Sequence, residues 1–131
     1  MIVHREPDSL PVQALPGIIR RTLVHGPKMM ICEFTLQAGS DLPIHTHPHE
    51  QAGYVVAGRI RLSLNGQTHD LGPGDTYYAA SNVPHGAKVL ETAVVVDTFC
   101  PPREDYLPKN HPKNKVSTPT PQSPIPAQNP L

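Results

Sequence analysis

The chain has no excess of charge of either sign: lysine plus arginine number 11 and aspartate plus glutamate 11. That balance excludes the basic footprint of a nucleic-acid binder and the polybasic face of a membrane-surface protein, and leaves a small molecule as the expected partner. Long hydrophobic runs are also missing. No segment approaches the roughly 20 apolar residues of a membrane helix, and MIVHREPDSLPVQALPGIIRR interrupts with charge and proline the apolar stretch that a secretory leader needs. A cytoplasmic protein is the expectation. There are only two cysteines, Cys32 and Cys100, too few for a disulfide scaffold, so both read as free thiols. With 131 residues, the chain has the length of one domain.

Proline is plentiful but unevenly placed. Of the 17 prolines, nine lie from Pro101 onward, and PKNHPKNKVSTPTPQSPIPAQNPL, from Pro108, shows no hydrophobic periodicity. The reading is a folded body over 1–107 and a proline-rich, extended or disordered tail over 108–131. The tail contains one PxxP, Pro121 to Pro124, a spacing that arises easily in any proline-rich segment.

Between Gly17 and Phe99 the pattern is that of an all-β domain, with period-2 alternation and regular turn signals. Lys28–Leu36, Gln51–Ala57, Arg59–Leu64, Gln67–Leu71, the TYYAA run, Ala87–Leu90 and Thr92–Phe99 read as strands. Asn65-Gly66 is the pair favoured by a type I′ hairpin, and LGPGD a turn that proline and two glycines permit. Seven to nine short strands in about 100 residues predict a sandwich or jelly-roll barrel.

Three of the eight histidines fall in HTHPHEQ, His45 to Gln51. On a strand, residues two apart share a face, so His45 and His47 present neighbouring imidazoles, a ligand arrangement if other strands bring further donors. An isolated His-x-His is as readily a pair of hydrogen-bonded surface residues. The surroundings change that reading. Gly39, His45, His47, Gln51 and Gly58 resemble in spacing the first motif of the cupins, and Pro73-Gly74-Asp75 followed by Pro84-His85-Gly86 is similar to the second. The resemblance implies an all-β double-stranded β-helix, a jelly-roll barrel, holding one divalent metal ion on His45, His47, Gln51 and His85. Zinc, nickel, manganese or iron would suit such donors. The family's usual glutamate ligand is replaced by Gln51. Glu50 has opposite strand parity and should face away, and the role of His49 is left open.

The segment VVVDTFCPPREDYL, Val94 to Leu107, together with HTHPHEQ, resembles the small cupins of pectin and alginate breakdown, the KdgF-type uronate-linearising proteins. That resemblance implies Asp97, Phe99 and Arg103 as residues lining the metal cavity. It further implies ring opening of a 4,5-unsaturated monouronate to a linear keto uronate, without redox chemistry. Asp97 would move the proton, Arg103 would anchor a small sugar-acid substrate by its carboxylate, and a homodimer is the family expectation. An aspartate among valines needs polar partners or a cavity, which fits a site role. Tyr77, Tyr78 and Tyr106 are further candidates that the sequence does not decide between. A metal-dependent dioxygenase, a non-catalytic sugar-acid sensor and a polyketide cyclase are the rival readings.

Overall fold

The computed structural model describes residues 2–108; Met1 and 109–131 lie outside the described residues, and with them all of the expected tail except Pro108. Eight strands are present among the described residues: β1 (Pro11–Leu15), β2 (Ile18–His25), β3 (Met30–Leu36), β4 (Asp41–His45), β5 (Glu50–Leu64), β6 (Gln67–Leu71), β7 (Thr76–Ala79) and β8 (His85–Cys100). Two single-turn 3₁₀ segments, Glu6–Asp8 and Glu104–Tyr106, complete the secondary structure. Among the described residues no helix is long and apolar enough to cross a membrane.

The strands pair antiparallel in the order β1-β2-β3-β8-β5-β6, with β4 added to β8 and β7 to β5. The two long strands make the barrel. The first half of β5 pairs with β7 and the far half of β8, its second half with β6 and the near half of β8. Between the halves the register shifts around Val55, Ala57 and Arg59, and Gly58 adopts φ 83°. Bulges of this kind bend a strand, and here they fold one continuous ladder into two facing sheets. The jelly roll expected from the sequence is therefore present.

The sequence pattern splits each long strand in two, at Gly58 and at Glu91. In the structure these are the bends of single strands, with Arg59 opposite Glu91. The pattern also gives no sign of β1, β2 or β4. β1 opens on a proline and is an edge strand, and β4 pairs only with β8 and carries Pro43, as edge positions tolerate. The Asn65-Gly66 hairpin behaves as expected, with both residues at positive φ, 50° and 84°.

Register then aligns inward-facing residues into rows that cross the strands. One row is Arg20, Phe34, Val95 and Val55; the next is Thr22, Cys32, Asp97, Gly53 and Tyr77; the third is Met30, Phe99, Gln51 and Ala79. Phe34, Val95 and Val55 of the first row join Leu36, Leu42, Ile60 and Val89 in the core. Each such large apolar side chain contributes about 1.5–3 kcal/mol by leaving water. The other two rows carry polar groups into the same interior, and there the site forms. Cys32 and Cys100 are free, the first buried and the second exposed.

Candidate metal centre

His45 closes β4 and lies directly opposite His85, the first residue of β8. His47 follows in the turn that leads into β5, and Gln51 stands second on β5 opposite Phe99. The ligand-capable nitrogens of His45, His47 and His85 all lie within 4.8 Å of one another. All three residues are buried, with exposures of 7, 4 and 4 %.

Backbone carbonyls orient the three rings. The Nδ1–H groups of His45 and His85 donate to the carbonyls two residues earlier, Pro43 and Val83, each at 2.8 Å, and that of His47 donates to His49 at 3.0 Å. A carbonyl only accepts, so Nδ1 holds the proton and Nε2 turns a bare lone pair inward. Burial keeps the rings neutral: the pKa of His45 is pushed down to about 4 and that of His47 to about 3, with Arg103 and the neighbouring histidines adding to the effect, and that of His85 is lowered as well.

The fourth group is Gln51. Its Oε1 lies 3.0 Å from His47 Nε2 and 3.1 Å from His85 Nε2. None of these three atoms has a hydrogen to offer in the neutral tautomers, and His45 Nε2 is buried with no hydrogen-bond partner. Four inward lone pairs converging without a proton between them would be costly in a bare protein interior. A divalent cation would satisfy them, and three imidazole nitrogens with one amide oxygen suit such an ion.

The far end of Gln51 is held just as fully. Its Nε2 donates to Tyr77 Oη at 2.7 Å and to Asp97 Oδ2 at 3.1 Å, and Tyr77 Oη donates to Asp97 Oδ1 at 2.9 Å. Burial pushes the Asp97 pKa up to about 7 despite these bonds and the nearby Arg103. Gly53 stands between Asp97 and Tyr77 in the row, and a Cβ there would overlap both the Tyr77 ring and Asp97 Oδ1. A glycine is what lets the tyrosine reach the aspartate. Beside this network lies a small cavity of about 30 Å³, walled on the other side by Leu36, Leu42, Ile60 and Leu62.

Of the residues singled out from sequence, Asp97, Phe99 and Arg103 all point into this region. Phe99 is fully buried with its ring centroid 6.0 Å from that of His47. Arg103 is 2 % exposed, its guanidinium 5.5 Å from the Phe99 centroid and 4.2 Å from that of Tyr106, with Nη2 donating to Asp105 at 3.2 Å. Glu50 faces away, accepting from Tyr78 Oη at 2.7 Å on the exposed side. His49 is buried but stands outside the three-histidine group; its Nε2 lies 3.4 Å from Glu104 Oε1. Of the undecided tyrosines, Tyr77 joins the network, Tyr78 points to solvent, and Tyr106 packs edge-on against Phe99 and Phe34. Strand parity separates Tyr77 from Tyr78, but only the register with β5 shows which of the two faces Gln51.

Comparisons with known proteins show the family. Residues 32–99 match the model of the cupin domain. The chain is 35 % identical over 104 residues to the pectin degradation protein KdgF of Dickeya dadantii, an alignment covering 76 % of this chain and 94 % of that protein. Among solved structures it superposes on KdgF from Halomonas sp. with a TM-score of 0.77 at 33 % identity, covering 82 % of this chain and 99 % of the other. An RmlC-like cupin from Shewanella frigidimarina follows with a TM-score of 0.75 at 27 % identity, covering 79 % and 93 %. With both metal motifs inside the matched span and converging on one centre, the chain belongs to the cupin domain family.

Proposed function

We propose that this protein opens the ring of 4,5-unsaturated monouronates to linear keto uronates, a step in the breakdown of pectin- or alginate-type polymers. The observation that carries the reading is the neutral set of three histidines and Gln51 beside Asp97, Phe99 and Arg103, in a chain 35 % identical to a pectin degradation protein. Histidines 45, 47 and 85 with Gln51 would hold one divalent ion. When bound, such an ion would supply positive charge that no ligand carboxylate cancels, favouring anionic oxygens on the substrate.

The chain's own residues account for the rest. Arg103 supplies a planar cation for the substrate carboxylate, and Phe99 an apolar face for the sugar ring. Asp97 takes the proton of the anomeric hydroxyl while the ring carbon–oxygen bond at that centre breaks. Asp97 returns that proton to the released ring oxygen, which leaves an aldehyde at one end and an enol at the other. The enol then loses its proton to become a ketone as the adjacent carbon gains one, so atoms and electrons balance without an oxidant. A carboxyl group with pKa near 7 is suited to taking and returning a proton close to neutral pH.

The test is direct. Unsaturated galacturonate or mannuronate monomer is added to the metal-loaded protein, and the loss of its enol-ether ultraviolet absorbance is followed. Decay well above the spontaneous rate in buffer is expected. Decay at the buffer rate, with metal bound, overturns the reading.

A further inference from the structure

We propose that Tyr77 and Asp97 act as a lock on the side-chain amide of Gln51, and that this lock is what requires a glutamine rather than a glutamate there. The inference rests on the reading of His45, His47, Gln51 and His85 as a metal centre, and not on the reaction assigned to it. Gln51 has two amide hydrogens and both are used, one on Tyr77 Oη and one on Asp97 Oδ2; the single phenol hydrogen of Tyr77 is used on Asp97 Oδ1. Every donor in the triangle has an acceptor, and the arrangement has a direction. If the amide flipped, its oxygen would face a carboxylate oxygen and a phenol oxygen whose hydrogen already points elsewhere. The flip is thereby opposed, and Oε1 stays 3.0 and 3.1 Å from the Nε2 atoms of His47 and His85.

The same count explains the choice of side chain. A glutamate at 51 would reach the histidines equally well but would bring no hydrogen to its far end. Two carboxylates would then face each other across the 3.1 Å now bridged by an N–H, with only the phenol hydrogen of Tyr77 to share. Like charges at that separation disfavour one another strongly in a buried site. Tyr77 is thus a positioning residue, acting on the metal through Gln51. Gly53 leaves the space it occupies.

A lock of this kind predicts a reversal of sign, which charge alone does not. Cobalt(II) is titrated, in mildly alkaline buffer, into the full chain and into the Asp97→Asn, Gln51→Glu and Gln51→Glu/Asp97→Asn variants, reading affinity and the visible absorption bands. In the native background Asp97→Asn can keep the bond from Gln51 Nε2 only by turning its own NH2 toward Tyr77 Oη, which leaves the phenol hydrogen without its acceptor and should weaken cobalt binding about tenfold. In the Gln51→Glu background the same change supplies the missing donor and should strengthen binding by a similar factor. Simple removal of a negative charge near a cation weakens binding in both backgrounds, and that result overturns the proposal. If the double variant does not fold, Tyr77→Phe decides. This change keeps the ring and removes one hydrogen bond to Gln51, so a shifted cobalt spectrum with weaker binding is expected, and an unchanged spectrum and affinity overturn the lock. Failure of the native protein to bind cobalt would instead remove the metal centre itself.

Discussion

Replacing Gly53 by alanine tests the packing on which the site's hydrogen-bond triangle depends. The added Cβ would overlap Asp97 Oδ1 and the Tyr77 ring, with Tyr77 Cζ only 2.6 Å away. Neither neighbour can swing clear cheaply, because Tyr77 and Asp97 are both tied to Gln51 and to each other. Overpacking of this kind costs about 1–3 kcal/mol. Working against it, Gly53 is not among the glycines at positive φ, so alanine adopts its backbone without strain and reduces the entropy of the unfolded chain, a gain of about 0.4–1 kcal/mol. The net expectation is a loss of roughly 1–2 kcal/mol, or several degrees in melting temperature for a chain of this size. Gly26→Ala is the matched control. Gly26 also lacks a positive φ, and an added Cβ would meet nothing within 4 Å, so only the entropic gain should remain. Thermal unfolding followed by circular dichroism measures both variants, and cobalt titration shows whether the displaced triangle also loosens the metal. If Gly53→Ala proves as stable as Gly26→Ala and binds cobalt like the native chain, the close approach of β5, β7 and β8 at this row is refuted.

Two further outcomes are expected. His47→Ala should lower metal content, measured by elemental analysis, from about one ion per chain to well below it, since it removes one of four converging donors; full occupancy would take His47 out of the ligand set. Stability of the chelator-treated protein should fall as pH drops from about 6.5 to about 4, because the unfolded chain protonates His45 and His47 while their folded pKa values are held at about 4 and about 3. Each histidine contributes on the order of 1 kcal/mol of loss per pH unit, while Asp97, which takes its proton near pH 7 in the folded state and only below pH 4 in the unfolded, returns a similar amount. The net slope is therefore a loss, read from urea midpoints across that range, and a flat or rising profile would contradict the burial of neutral imidazoles.

The glutamine takes on a different meaning once its surroundings are known. Read from the motif alone, Gln51 is a ligand that leaves the ion's charge uncompensated. In the structure its amide hydrogens are equally engaged, binding Asp97 and Tyr77 behind the centre. Asp97, expected from the resemblance as a proton carrier, has both oxygens occupied in the same triangle. The proposed role in moving protons and the proposed role in holding Gln51 fall on one carboxyl group, and the Gln51→Glu/Asp97→Asn exchange separates them by reading metal rather than turnover.

Local information was enough for much of this protein. Alternation of apolar and polar residues placed β3, β6 and β7, the Asn65-Gly66 pair set its hairpin, and two short motifs, Gly39 to Gly58 and Pro73 to Gly86, contained the three histidines that the fold brings together, because each of these signals is local in the chain. Parity even put Glu50 on the outside and Asp97 and Phe99 on a common face. Whether that face was the inner one, and which tyrosine met Asp97, depended on cross-strand register over separations of 46 residues between Gln51 and Asp97 and 26 between Gln51 and Tyr77. The bends in β5 and β8 were likewise invisible, since a glycine that ends a strand and a glycine that folds one into a second sheet look alike until the opposing strand is in place. Chemistry at single positions could be read along the chain; the pairing of hydrogen-bond donors with acceptors is a property of neighbours, and only the folded barrel supplies those.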